Sequence, residues 1–179
     1  MLKLVKVSRE YADVFLRALE EYKTDTAKYG LVSMRQLLKT VEEGKFDEWL
    51  EKARKNALGI DLPEGYISNT KYWLCDDEYI GSFTLRHDLN ENLMKCGGHI
   101  GYVIRPSKRG HGYAFKGLEL VLAEAYKLGL KRVLITCNTE NAASFAVINK
   151  AKNIYGGEQL EDSHLDGFSE HRVWINTCK

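Results

Sequence analysis

The sequence lacks any long apolar run, which excludes a membrane-spanning helix. No stretch reaches the roughly 18 consecutive apolar residues that a bilayer span needs, and residues 1–7 alternate like a strand and carry no secretory signal. Paired cysteines are also missing, because Cys75, Cys96, Cys137 and Cys178 stand singly and form no Cys-x-x-Cys motif. These absences predict reduced thiols in a soluble, cytoplasmic protein.

Acidic residues are missing from one segment of the chain. The segment between Asn92 and Leu118 contains no Asp or Glu, although the whole chain carries a formal net charge of only +1. The basic residues of this segment are Lys95, Arg105, Lys108, Arg109 and Lys116. Such local segregation indicates a bound anion. The patch is short and has no second basic face, so we expect no nucleic-acid partner.

The same segment has the pattern of a strand, a glycine turn and a helix. Residues 100–104 are apolar enough for a strand buried on both faces, and Pro106 ends it because proline cannot donate to a ladder. Gly110 and Gly112 leave the backbone uncovered, and apolar residues recur at helical spacing after Tyr113. The unpaired N–H groups and the dipole at such a helix start favour an anion, so we predict a phosphate ligand.

The remaining elements alternate between strand and helix in one domain, residues 1–179, with a helical elaboration over about 24–60. Strands are predicted at 2–7, 72–75, 79–86, 100–104, 132–137 and 172–175. Helices are predicted at 9–22, 34–42, 46–57, 113–128 and from 142, where Asn141 is the cap. Loops are predicted at 87–94 and over the acidic tract 158–170. The helices at 34–42 and 46–57 either pack by one face with the rest solvated, or wall a substrate groove.

The run Arg109-Gly110-His111-Gly112-Tyr113-Ala114 resembles the acetyl-CoA signature of the GNAT N-acetyltransferases. In that signature an Arg or Gln is followed by two residues, Gly, one residue, and Gly or Ala. Asn141 and Ser144 match the Asn-x-x-Ala/Ser of the family's later helix, and the resemblance spans about residues 72–174. Parts of the chain also resemble a bacterial group of predicted acetyltransferases.

Two other kinds of glycine loop fit less well. A Walker loop requires Gly-Lys-Ser/Thr, which is missing here. A dinucleotide fingerprint requires its glycines after the first strand and an acid about 20 residues on. A purely structural turn is the remaining alternative, and the lack of acidic residues around Gly110 and Gly112 argues against it.

The resemblance implies an α/β (α+β) fold, with a mixed, mostly antiparallel sheet of six or seven strands, helices on both faces and splayed central parallel strands. It implies acetyl-CoA as cosubstrate and a small-molecule or peptide amine that attacks the thioester directly in a ternary complex. We expect no metal and no membrane partner, and homodimers are common in the family. The residues implied to bind the cofactor are Ile104, Arg105, Arg109, Gly110, His111, Gly112, Tyr113, Ala114, Asn141 and Ser144.

Acetyl transfer requires a neutral amine, so a base must take a proton near neutral pH. The candidate bases are His99 on the strand and His87 at the end of the preceding strand. Each also fits an ordinary role, His99 as a buried histidine bonded to backbone and His87 as a loop histidine. The acidic tract 158–170 either attracts a cationic amine or is a solvated loop.

The proton donor is less well marked. In many relatives a tyrosine seven residues after the asparagine protonates the departing thiolate, and that position holds Ile148 here. Tyr155, one helical repeat further, is a candidate, and Tyr102 or Tyr113 are alternatives. The absence of the family tyrosine also motivates a second hypothesis, an acyl-CoA-binding sensor or regulatory module with weak or no catalysis.

Overall fold

Seven strands form two antiparallel sheets in the computed structural model, which describes residues 1–178. The first sheet has the order β1-β2-β3-β4, with bounds Lys3–Lys6, Asn69–Cys75, Tyr79–Arg86 and Ile100–Ile104. The second has the order β5-β7-β6, with β5 at Arg132–Asn138, β6 at Gly157–Leu165 and β7 at Phe168–Asn176. The predicted mixed α/β fold and its strand number are confirmed, although the strands are divided between two sheets.

Within residues 1–178 the chain has six α-helices. Their bounds are α1 Ala12–Leu19, α2 Leu31–Glu42, α3 Phe46–Leu58, α4 Glu91–Lys95, α5 Tyr113–Lys127 and α6 Ala142–Tyr155. Helices α1, α3 and α5 pack against the first sheet and α6 against the second. Short 3₁₀ turns at Arg9–Tyr11 and Glu20–Tyr22 flank α1, and a third at Pro106–Lys108 follows β4.

The alternation of side chains along β2 explains why helices lie on both faces. Tyr72 and Leu74 belong to one core with Leu118 of α5, whereas Trp73 belongs to the other, with its ring stacked 4.6 Å from that of Phe15 in α1. Both faces of this strand are therefore buried over residues 72–75, which accounts for the continuous apolar run there.

Residues 87–94, predicted as a loop, contain the start of a helix. The side chain of Asn90 accepts a hydrogen bond from the backbone N–H of Leu93 at 2.9 Å and caps α4. The cap sequence Asn-Glu was present, but the helix has only five residues and no apolar period to reveal it.

The tract 158–170, also predicted as a loop, instead contains most of β6 and the start of β7. The two strands pair antiparallel, with Glu158 opposite Trp174 and Leu165 opposite Phe168. Because β6 is an edge strand with mostly exposed side chains, backbone pairing holds it in place and no apolar alternation marks it.

The backbones of the two sheets are joined by a hydrogen bond between His99 and Leu134. The backbone N–H of His99 donates to the carbonyl of Leu134 at 2.6 Å, and the N–H of Leu134 donates to His99 Nδ1 at 2.9 Å. Gly98 precedes this contact with φ +54°, and a Cβ there would lie 2.4 Å from the Leu134 carbonyl oxygen. Within residues 1–178 no ladder joins β4 to β5 beyond this contact. Both strands run from it along the same cavity, so they point the same way and splay apart.

This contact predicts a pH dependence of folding. Burial lowers the pKa of His99 from 6.5 to about 4, so the unfolded chain takes up a proton first as the pH falls. The stabilisation is fully present above pH 6.5 and is lost toward pH 4, a difference of about 3 kcal/mol. Urea unfolding should show this loss.

The variant His99→Asn retains an acceptor for the Leu134 N–H and cannot titrate, so its stability should fall less steeply with pH. His164→Asn removes an exposed histidine of β6 and serves as the control, with the slope of the native protein. Equal slopes for His99→Asn and the native protein would contradict the prediction.

Candidate active site

A cavity of about 680 Å³, here called the cleft, opens where β4 and β5 separate. Its walls are the second halves of both strands, the turn before α5, the first residues of α6 and the loop 27–30. The predicted cofactor residues that line it are Ile104, Arg109, Gly110, Gly112, Tyr113, Ala114, Asn141 and Ser144.

The turn before α5 presents backbone donors to the cleft. The first helical hydrogen bond runs from Lys116 N–H to the Gly112 carbonyl at 3.2 Å, so the N–H groups of Tyr113 and Ala114 have no helical acceptor. Gly110 and Gly112 both have φ +77°, a conformation that favours glycine, and a Cβ on either would meet nothing within 4 Å. This open, donor-rich turn fits a pyrophosphate.

Asn141 caps the helix on the other side of the cleft, as predicted. Its side-chain oxygen accepts the backbone N–H of Ser144 at 3.1 Å. The side-chain amide of Asn141 keeps its N–H groups for a ligand in the cleft.

The basic excess seen in the sequence is largely balanced in the folded chain. Arg105 donates from Nε to Glu21 Oε1 at 2.7 Å, and Lys108 pairs with Glu78. Arg105 therefore points away from the cleft, toward the 3₁₀ turn after α1. His111 is exposed, with its Nδ1 2.6 Å from the carbonyl of Arg109, and it also does not line the cleft.

Arg109 joins three segments at the end of the cleft. Its Nε donates to the carbonyl of Ile104 at 3.1 Å and its Nη1 to Asp25 Oδ1 at 3.0 Å. The Asp25 carboxylate is only 6% exposed, and the guanidinium holds its pKa below the usual range. Arg109 thus holds the glycine turn against β4 and against the loop before α2. Because the same guanidinium N–H groups make these bonds, they are not free to bind a phosphate directly.

The three predicted catalytic residues lie outside the cleft. His99 is buried in the contact between the sheets, which is the backbone-bonded role considered for it. His87 has Nδ1 3.2 Å from Ser68 Oγ and Nε2 2.9 Å from Thr70 Oγ1, so both ring nitrogens are engaged. The hydroxyl of Tyr155 donates to a carboxylate of α5 at 3.2 Å, at the far end of α6.

Tyr102 of β4 reaches across the cleft to the first turn of α6. Its hydroxyl lies 2.9 Å from Ser144 Oγ, and burial raises the pKa of Tyr102 to about 12. The phenol is therefore protonated at neutral pH. Ile148, at the family position, is fully buried in the core.

Glu170 is an acid that the sequence analysis placed only in a loop. It lies on β7 and is the one acidic side chain lining the cleft within residues 1–178. Its carboxyl hydrogen bonds with Thr136 and Cys96, and burial raises the pKa of Glu170 above its usual value. No sequence signal distinguished it from its solvated neighbours, because the register of β7 against β5 decides where it points.

A second cavity, about 650 Å³ and here called the helix cavity, lies between the first sheet and helices α2 and α3. It shares with the cleft the residues Gly30, Arg86, Gly101, Tyr102 and Val103. A Cβ on Gly101 would meet nothing within 4 Å, so the two cavities meet over open space at this glycine. The helices predicted at 34–42 and 46–57 pack by one face and leave the other exposed, and residues of both also line the helix cavity.

Comparison with known proteins identifies the family of this chain. Residues 2–152 match the acetyltransferase (GNAT) domain family, and the chain belongs to that family of N-acetyltransferases. An uncharacterized N-acetyltransferase of Bacillus subtilis (strain 168), YnaD, is 28% identical over 131 residues, 73% of each chain.

The fold is also that of solved acetyltransferases. A chimera of the Vibrio cholerae spermidine N-acetyltransferase SpeG with hSSAT matches with a TM-score of 0.62 and 16% identity, over 98% of this chain and 95% of the other. The Vibrio cholerae spermidine N-acetyltransferase in complex with CoA and spermine matches with a TM-score of 0.59 and 13% identity, over 98% and 95%. Within residues 1–178 no helix is long and apolar enough to cross a membrane.

The pairing of Arg109 predicts how its substitution affects cofactor binding. If Arg109 acts by fastening the turn, Asp25→Asn and Arg109→Gln should both weaken CoA binding roughly three- to tenfold, and the double variant no further. Calorimetric titration with CoA measures this, with Glu124→Gln on the surface of α5 as the control. Unchanged or tighter binding by Asp25→Asn would instead make Arg109 a direct phosphate ligand.

Proposed function

We propose that this N-acetyltransferase transfers an acetyl group from acetyl-CoA to a primary amine while both are bound, by direct attack of the amine on the thioester. The observation that carries the proposal is the meeting of two cavities at Gly101, one on each side of the edge of β4. The cleft has the donors for the cofactor, and the helix cavity gives the amine a separate approach.

In the cleft, the chain's own groups would hold the cofactor along its length. The N–H groups at the start of α5 meet the pyrophosphate, and the free edge of β4 offers main-chain groups to the pantetheine arm. The N–H groups of the Asn141 side chain face the same channel. When bound, acetyl-CoA supplies the acetyl thioester that the amine attacks.

Glu170 is the proposed proton acceptor. Burial raises its pKa, which makes the Glu170 carboxylate a better base for an ammonium proton than an ordinary glutamate. The Thr136 hydroxyl, which bonds the Glu170 carboxyl, also accepts the backbone N–H of Gly97 at 2.9 Å. These bonds hold Glu170 close to the contact between β4 and β5. This candidate replaces His99 and His87 in the proposal.

Tyr102 is the proposed donor toward the departing sulfur. Its pKa of about 12 is well above that of an ordinary thiol, so it favours a hydrogen bond to the thiolate over full proton transfer. The bond to Ser144 holds the hydroxyl near Asn141, where the pantetheine arm would end.

Thiol release from acetyl-CoA in the presence of primary amines tests the proposal. Glu170→Gln should lower kcat/KM about a hundredfold or more. The native enzyme should lose kcat/KM as the pH falls through the raised pKa of Glu170, and the variant should not show this acid limb.

Glu161→Gln, at an exposed position of β6, is the matched control and should retain full activity. Native activity in Glu170→Gln would remove Glu170 from the reaction. Absence of thiol release with every amine, together with intact CoA binding, would overturn direct acetyl transfer.

A further inference from the structure

We propose that the acceptor amine also carries an anionic group, a carboxylate or a phosphate, which binds Lys71 and Arg86 in the helix cavity. This inference rests on the proposed function, because it assigns the helix cavity to the acceptor.

Lys71 is a half-buried cation without a counter-charge. It lies on β2 opposite Thr84 of β3 and lines the helix cavity. No carboxylate and no side-chain hydrogen bond within residues 1–178 reaches its ammonium group, and its pKa is lowered by burial and by Arg86. An unpaired buried charge costs folding free energy, so its presence beside a cavity indicates a binding role.

Arg86 is the second cation and lies on the same face of the sheet. It follows Thr84 by two residues on β3, diagonal to Lys71 across the strand pair. Its Nη1 donates to the neutral carbonyls of Gly97 and Gly98 at 2.9 and 3.0 Å. Those bonds orient the guanidinium without neutralising it, and within the described residues no carboxylate pairs with it.

Lys71 and Arg86 give the helix cavity its positive charge, because the other charged groups at its wall nearly balance. Lys45 and Lys52 of the α3 region line it, Lys45 pairs with Glu43 at 2.9 Å, and Glu48 is the one acidic side chain on the wall within residues 1–178. A polyamine brings two or more positive charges and would meet repulsion here, whereas an anionic oxygen group would be paired by both inner cations.

The distance from Lys71 to Gly101, where the two cavities meet, limits the size of the acceptor. Lys71, Thr84 and Gly101 stand in one row across β2, β3 and β4. Two strand spacings separate the ends of this row, about 10 Å. This distance separates backbone positions, and the guanidinium of Arg86 reaches over to Gly97 and Gly98 just before β4, so an amine and an anionic group a few bonds apart would span from the cations to the thioester.

Matched pairs of amines test the charge preference. Phenylalanine is compared with phenethylamine for the carboxylate, phosphoethanolamine with ethanolamine for the phosphate, and spermidine represents the purely cationic acceptor. Thiol release gives kcat/KM for each compound. Binding is measured separately from tryptophan emission, because Trp49 and Trp73 line the helix cavity and report occupancy without turnover.

In at least one pair the anionic amine should have roughly tenfold or more higher affinity and kcat/KM than its neutral partner. Spermidine should have a lower kcat/KM than that anionic amine. Lys71→Met should remove this preference by raising KM for the anionic amine, with acetyl-CoA and neutral amines unaffected. Lys71→Arg should restore it, and Lys131→Met, an exposed lysine outside both cavities, should leave it unchanged.

Lys71→Met should also unfold at a higher urea concentration, because it removes an unpaired half-buried charge, so a loss of affinity will not reflect unfolding. The inference is overturned if neutral amines or spermidine bind as well as the anionic members, or if Lys71→Met lowers kcat for all amines alike. Anion binding that depends on Lys71, without thiol release from any amine, would instead contradict the proposed function alone.

Discussion

The contact between His99 and Leu134 is the constraint on which the site depends. It joins the two sheets at one end of β4 through two hydrogen bonds, and the one that His99 Nδ1 accepts needs a neutral imidazole. Because the strands are fixed at this end and not paired beyond it, they separate and leave the cleft between them. A histidine that the sequence offered as a base therefore contributes by shaping the cavity in which the chemistry is proposed.

The edge of β4 created by this separation has cavities on both of its sides. Side chains alternate along the strand, so Tyr102 turns toward α6 while Gly101 leaves the other face open. The same strand thus presents the Tyr102 hydroxyl to the cleft and an open face at Gly101 to the helix cavity. Helices α2 and α3, which read as an elaboration of the fold, complete the second cavity.

Features set by neighbouring residues were predictable from the sequence. The glycine turn before α5, the Asn141 cap and the strand pattern around them depend on local conformation, and the structure places all three as expected. The roles of Asp25, Glu170 and Lys71 were not predictable, because they depend on which distant segments of the chain lie next to each other in the fold. The positive charge of residues 93–117 shows why sequence alone is insufficient here. In the folded chain Glu21, Asp25 and Glu78, which lie elsewhere in the sequence, largely balance that charge.

The shared fold also does not determine the acceptor. The spermidine N-acetyltransferases match this chain in fold at identities of 16% or less, and a fold supports many substrates. The cations lining the helix cavity are specific to the side chains of this protein, and they are the basis for an acceptor of opposite charge.

The central claim is that the two cavities meet at the reacting centre. A crystal structure of the protein with CoA tests it most directly. The account predicts the pyrophosphate at the N–H groups of Tyr113 and Ala114, and the sulfur in the cleft beside Gly101 and Tyr102, open to the helix cavity. A sulfur atom outside the cleft, or one separated from the helix cavity by protein, would contradict it.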